Sequence, residues 1–166
     1  MSRTVDLVAD IGESFGSHRI SDDERLLSTL TSANVPCGFH VGPPWTLAAS
    51  DFACRTIGIS IGAHPQFPGP RLLRSAGIGA IPRRTEHDVL YQIGALQTSA
   101  IVRETSVTHV SPRGRLGTLA STDRYCESAV ANAVEEHDAD LPALTIPGEL
   151  DREARARGLR VSNHSA

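Results

Sequence analysis

The sequence predicts an α/β protein built from β/α repeats. Three strand-like runs, residues 5–13, 32–40 and 59–65, each end in reactive side chains. Stretches that read as helices lie between them. Repeated strand, polar tip and helix gives a parallel sheet whose strands finish on one rim, and such rims carry the sites of β/α enzymes.

Each element has a local reason. The first strand covers residues 4–9, a short apolar run bounded by Asp10 and Gly12. Ser21-Asp22-Asp23-Glu24 is a capping box for a helix to about residue 30, since Ser21 and Glu24 can each satisfy an orphan N–H. The second strand covers 32–38. Pro43-Pro44 starts a helix carrying Leu47, Ala48 and Phe52, and Gly58 ends it. The third strand covers 59–63. Residues 69–84 form a long Gly/Pro/Arg-rich connection, a kind of segment that is often functional. Thr85-Glu86-His87-Asp88 caps the longest helix, 86–104, with an inward stripe of Val89, Ile93, Leu96 and Ala100. A fourth strand follows at 108–111. A helix then runs from Ser121 or Thr122 to about 136, with Ala129, Val130 and Ala133 inward. The fifth strand is 143–146, and Pro147-Gly148 leads into a helix at 149–157 stopped by Gly158. Leu159-Arg160-Val161 begins a sixth strand.

The 166 residues fit one domain, 1–166, and no linker or internal repeat divides them. A closed eight-stranded barrel needs about 250 residues. The expectation is therefore an incomplete barrel of five to six strands that halts inside a β/α repeat.

Composition narrows the function. Apolar content of 40% and charged content of 21% are those of an ordinary globular chain. A net charge of −3 offers no basic footprint for nucleic acid. No apolar run approaches the roughly 18 residues of a membrane span. The first residues carry no apolar signal core, so the expected location is the cytoplasm. Cys37, Cys54 and Cys126 lack metal-site spacing and read as unpaired thiols. All sixteen basic residues are arginine; without a lysine this chain has no P-loop and no Schiff base.

The candidate chemistry sits at the strand ends. Asp10 and Glu13 flank Gly12, and two nearby carboxylates can divide into acid and base. His40 and His64 follow glycine-bearing strand ends. With Asp10 they suit either general acid–base work or a metal held by Asp10, His40 and His64. Asn34 can orient a substrate or cap a turn. Trp45 and Phe67 read as core or as a pocket wall. Arg71, Arg74, Arg83 and Arg84 read as a solvated loop rather than an anion clamp. His18, His87, His109, His137 and His164 read as solvated.

These motifs resemble the LamB/YcsF family. The resemblance rests on Asp6-Leu7-Val8-Ala9-Asp10-Ile11-Gly12-Glu13-Ser14-Phe15-Gly16 and on Ser32-Ala33-Asn34-Val35-Pro36-Cys37-Gly38-Phe39-His40-Val41-Gly42. It continues through Ile61-Gly62-Ala63-His64-Pro65-Gln66-Phe67-Pro68 and Val89-Leu90-Tyr91-Gln92-Ile93-Gly94-Ala95-Leu96, and loosely to Val161. It implies a distorted β/α barrel of the glycoside hydrolase/deacetylase type. It implies ATP-dependent opening of 5-oxo-L-proline to L-glutamate, with two partner subunits. The implied catalytic residues are Asp10, Glu13, His40 and His64, with Asn34 and Arg113 as substrate contacts and a divalent metal as an option. The chain departs from the family at Val8 (asparagine in the family) and at Pro43 and Gly69 (both aspartate). The family's Lys-Pro-His-Gly-Ala-Leu-Tyr stretch stands here as Ser111-Pro112-Arg113-Gly114-Arg115-Leu116-Gly117. The resemblance therefore implies a divergent member that lacks the family's carboxyl-terminal third. Two other readings are a metal-dependent deacetylase-like hydrolase and a non-catalytic paralogue.

Overall fold

A computed structural model describes residues 5–13, 22–68 and 82–164. Six parallel strands form one sheet in sequence order: β1 Val8–Asp10, β2 Ser32–Pro36, β3 Ser60–His64, β4 Val107–Val110, β5 Ala143–Thr145 and β6 Val161–Asn163. The helices are α1 Asp23–Leu27, α2 Pro44–Ile57, α3 Pro82–Val102, α4 Gly114–Thr122, α5 Arg124–His137 and α6 Glu149–Ala156. The sheet curls strongly into a half-barrel with helices packed on it, which is the distorted β/α barrel expected. Because every strand runs the same way, all six carboxyl ends lie on one rim.

Alternation along the strands separates two faces. Ala33, Val35, Ile61, Ala63 and Val110 are buried in the apolar core, which also takes Val89, Ile93, Leu96 and Ala100 of α3. That stripe is the one anticipated from helical spacing. On the other face, Ser32, Asn34 and His64 alternate with them, and their side chains are polar yet buried. The three cysteines are free and buried, as expected.

Several boundaries move. Asp22, not Ser21, caps α1, its carboxylate accepting from Arg25 N–H; Ser21 lies outside the described residues. Helix α3 begins at Pro82, so Thr85, expected as its cap, sits buried inside the first turns. Of the connection expected at 69–84, residues 69–81 lie outside the described residues, Arg71 and Arg74 among them; Arg83 and Arg84 are exposed on α3. Trp45 is neither core nor wall: it is 72% exposed on the first turn of α2. Phe67 packs against the core edge.

The helix expected from Ser121 or Thr122 starts at Arg124, as α5, and a separate, unexpected helix, α4, occupies Gly114–Thr122 before it. Asp123 is extended, with φ −120° and ψ 118°, and its carboxylate accepts from the N–H groups of Tyr125 and Cys126. It thereby ends α4 and caps α5, and Ala129, Val130 and Ala133 turn inward as anticipated. Removing an N-cap carboxylate costs about 1 kcal/mol. Asp123→Ala is expected to lower stability by that amount in urea unfolding, with an unchanged denaturant slope.

Candidate active site

One layer of the half-barrel organises the site. In the parallel register Asp10 stands beside Asn34, Asn34 beside Gly62, and Gly62 beside His109. The four positions form a rung across β1, β2, β3 and β4. Gly62 contributes no side chain, and the His109 ring fills the gap: a Cβ at Gly62 would come within 2.0 Å of His109 Nε2. The β3–β4 register slips between Ile61 and Gly62, since Ile61 faces Val107 while Gly62 faces His109. Thr108 is the extra residue, and its hydroxyl donates to the Ile61 carbonyl at 2.8 Å. A bulge of this kind re-aims the next side chain.

Hydrogen bonds run along the rung. His109 Nε2 lies 2.9 Å from Asn34 Oδ1, and Asn34 Nδ2 donates to Asp10 Oδ1 at 2.9 Å. His64, at the end of β3, places Nε2 3.3 Å from the same Asp10 oxygen. Its Nδ1–H donates to the Ser111 carbonyl just past β4. Arg113 reaches back from the β4–α4 turn, with Nη1 3.4 Å from Asp10 Oδ2, and also pairs with Glu13.

Glu13 is brought there by the turn after β1. Gly12 has φ +72°, and its N–H donates to the Asp23 carboxylate at 3.0 Å. A Cβ at Gly12 would come within 2.4 Å of Ser50 Oγ on α2, so the turn packs closely there.

His40 lies in the β2–α2 loop, and its two ring nitrogens are buried with no hydrogen-bond partner among the described residues. A buried imidazole left open on both nitrogens is costly unless something binds there.

Burial sets the charges. Burial alone would raise the Asp10 carboxyl, but His64, Asn34 and Arg113 outweigh it and hold the group well below the usual carboxylate range. Burial lowers His40 to about 4, helped by the nearby His64 and opposed by Asp10. Burial also lowers His109 to about 4, opposed by the attraction of Asp6. Burial pushes the Cys37 thiol up to about 12, which keeps it protonated at neutral pH.

A cavity of about 370 Å³ opens on this rim. Asp10, Asn34, His64, Arg113, Leu144 and His164 line it, so β1, β2, β3 and β5 contribute, together with residues just past β4 and β6.

The structure thus gathers Asp10, Glu13, His64, Arg113 and Asn34, with His40 close enough to feel the charges of His64 and Asp10. Asn34 lies inside β2, so it caps no turn, and both ends of its amide are engaged within the protein. One histidine that reads as solvated, His109, proves otherwise: it is buried in the rung. Partly exposed His164 lines the cavity. The available signal for His109 is its position on a strand opposite a glycine, which one sequence does not pair. Asp10, Glu13 and His64 offer ligand atoms within 4.8 Å of one another, a potential cation-binding cluster. The metal set anticipated from the sequence is Asp10, His40 and His64; the grouping found among the described residues has Glu13 in place of His40.

The LamB/YcsF family model matches residues 5–165. This chain belongs to the LamB/YcsF family. It is 40% identical over 161 residues to the 5-oxoprolinase A-subunit from Gluconobacter oxydans, covering 96% of this chain and 63% of the relative. It is 39% identical over 163 residues to the 5-oxoprolinase A-subunit from Methylococcus capsulatus, covering 98% and 63%. The crystal structure of a lactam utilization protein from Thermus thermophilus superposes with a TM-score of 0.90 at 36% identity, over 98% of this chain and 66% of that one. The chain therefore spans just under two thirds of the length of the curated relatives it matches. Family membership associates it with a hydrolase-type enzyme family. Among the described residues, no helix is long and apolar enough to cross a membrane.

The neutral histidines carry a pH signature. Unfolded, His40 and His109 titrate near 6.5; folded, near 4. Between those values the unfolded chain binds protons that the folded chain refuses, so stability falls as pH falls through that window. Urea midpoints are expected to decline from about pH 6.5 to about pH 4, and less steeply in His40→Phe. A flat wild-type profile would contradict this account.

Proposed function

We propose that this chain works as the A-subunit of a multi-subunit 5-oxoprolinase, opening 5-oxo-L-proline to L-glutamate with hydrolysis of ATP, together with two partner subunits. The observation that carries the reading is the Asp10–His64–Arg113 arrangement in a cavity of single-substrate size on the carboxyl rim. The names of the relatives support the substrate.

A five-membered lactam is a poor electrophile. Phosphorylation of its carbonyl oxygen by ATP gives a better one, with ADP as the leaving product. Water then adds to the activated carbon, the ring C–N bond breaks as the ring nitrogen takes a proton, and the acyl phosphate that remains is hydrolysed by a second water to the carboxylate and phosphate. Asp10 stays ionised and can take the proton of the attacking water directly or through His64, whose Nδ1 is anchored on Ser111. His40 is neutral at physiological pH and has no protein partner on either nitrogen among the described residues, so it can donate to oxygen as negative charge develops. Arg113 offers a guanidinium to the substrate carboxylate or the transferred phosphoryl group. Glu13 keeps Arg113 on this rim. The chain has no lysine for a P-loop, so nucleotide phosphates are met by arginine, by backbone N–H groups or by a partner subunit.

The test is glutamate release from 5-oxoproline in the presence of both partner subunits, with and without ATP. ATP-dependent turnover is expected. Asp10→Asn and His64→Ala should each lose about 10²-fold or more in kcat. Absence of turnover with partners proven active on a related chain of the same family would overturn the reading.

A metal-dependent hydrolase is the second reading, favoured by the Asp10, Glu13 and His64 cluster. Two carboxylates and an imidazole fit a divalent cation as donors. Arg113 pairs with both carboxylates, so a cation must displace its guanidinium. Under the first reading Arg113→Gln binds Zn²⁺ more tightly than wild type in calorimetric titration. Stoichiometric Zn²⁺ binding by wild type that is lost in Glu13→Gln would favour the second.

A further inference from the structure

His109 has no place in the chemistry above, yet two neighbouring strands are shaped around it. A parallel strand carries a bulge at Thr108 to aim it, and β3 has no side chain at Gly62, which admits it. The ring is buried in the barrel interior, with the residue at 8% exposure. Burial of a polar ring is retained only if its hydrogen bonds are made.

Those bonds form a directed series. An ionised carboxylate only accepts, so the Asn34 end facing Asp10 must be the NH₂ group. The Asn34 carbonyl therefore faces His109, and a carbonyl accepts only from a protonated ring nitrogen. His109 must then carry hydrogen on Nε2. Its Nδ1 is then the bare nitrogen, 3.1 Å from the Thr108 hydroxyl, whose single proton goes to the nearer Ile61 carbonyl.

We infer that His109 is a positioning residue for Asp10: its Nε2–H, laid across Gly62, holds the Asn34 carbonyl so that the Asn34 NH₂ group fixes Asp10 Oδ1 against His64. The inference rests on the reading of Asp10 as the reactive carboxylate, but it does not need turnover to be tested. Without the imidazole, the Asn34 amide is free to rotate and Asp10 loses its lateral restraint. A glutamine at position 109 keeps an N–H donor of similar reach, while a leucine keeps bulk and loses the donor.

Nitrogen NMR of the full chain labelled at histidine and asparagine decides the matter. Wild-type His109 is expected as the neutral Nε2–H form near neutral pH; a dominant Nδ1–H form would overturn the inference by itself, whether or not any variant folds. Exchange of the Asn34 side-chain amide protons is expected to quicken about tenfold in His109→Leu and to stay near wild type in His109→Gln. Equal exchange in all three proteins would also overturn it. In the assay with partner subunits, His109→Leu should lower kcat with little change in KM, and His109→Gln should restore it. A wild type without turnover sinks the proposed function, whereas the NMR results judge His109 separately.

Discussion

The half-barrel depends on a row of polar groups that its own fold removes from water. Curling a parallel sheet turns one face inward, and here that face carries buried Asn34, His64, His109 and Ser111, with half-exposed Asp10 at its edge, rather than the usual layers of branched apolar side chains. Each such group costs stability unless it is partnered. The rung of Asp10, Asn34, Gly62 and His109 is how three of them are satisfied at once: acceptor meets donor in a single direction, and the glycine makes room. A side chain at position 62, or a donor facing a donor, would leave a buried group unpaired.

The electrical character of the rim follows from the same burial. Water exclusion keeps His40 and His109 neutral, while a local excess of donors and positive charge keeps Asp10 ionised. A charged carboxylate among neutral imidazoles is a usable arrangement for moving protons. Arg113 completes it from the β4–α4 turn, placing a cation where Asp10 and Glu13 would otherwise repel each other. The apolar side of the sheet, by contrast, is ordinary core against α2 and α3, and it fixes the strand spacing on which the rung relies.

What the sequence discloses follows the range of the interaction. Strand ends and helix stripes are local, so the β/α order, the inward stripe of Val89, Ile93, Leu96 and Ala100, and the rim position of Asp10 and His64 are legible in it. Helix α4 does not stand out, because Gly114 and Gly117 weaken its helical pattern, and the start of α5 is read at Ser121 or Thr122 rather than at its Asp123 cap. The role of Asn34 is not legible, because it is set by neighbours 24 and 75 residues away. His109 is hidden for the same reason: its burial depends on a bulge and on a missing side chain in the adjacent strand. His164 reaches the cavity only through the pairing of β6 with β5. The resemblance to LamB/YcsF proteins supplies the chemistry expected of the rim, and family membership stands on the match over residues 5–165.

The central claim is that the missing side chain at Gly62 lets the rung form and so holds Asp10 in place. A crystal structure of Gly62→Ala tests it most directly. The account predicts that the added methyl group drives the His109 ring out of the rung, breaks the His109–Asn34 contact and leaves Asp10 in altered or multiple orientations, with the helices unmoved. An alanine variant in which His109, Asn34 and Asp10 keep their present contacts would contradict it.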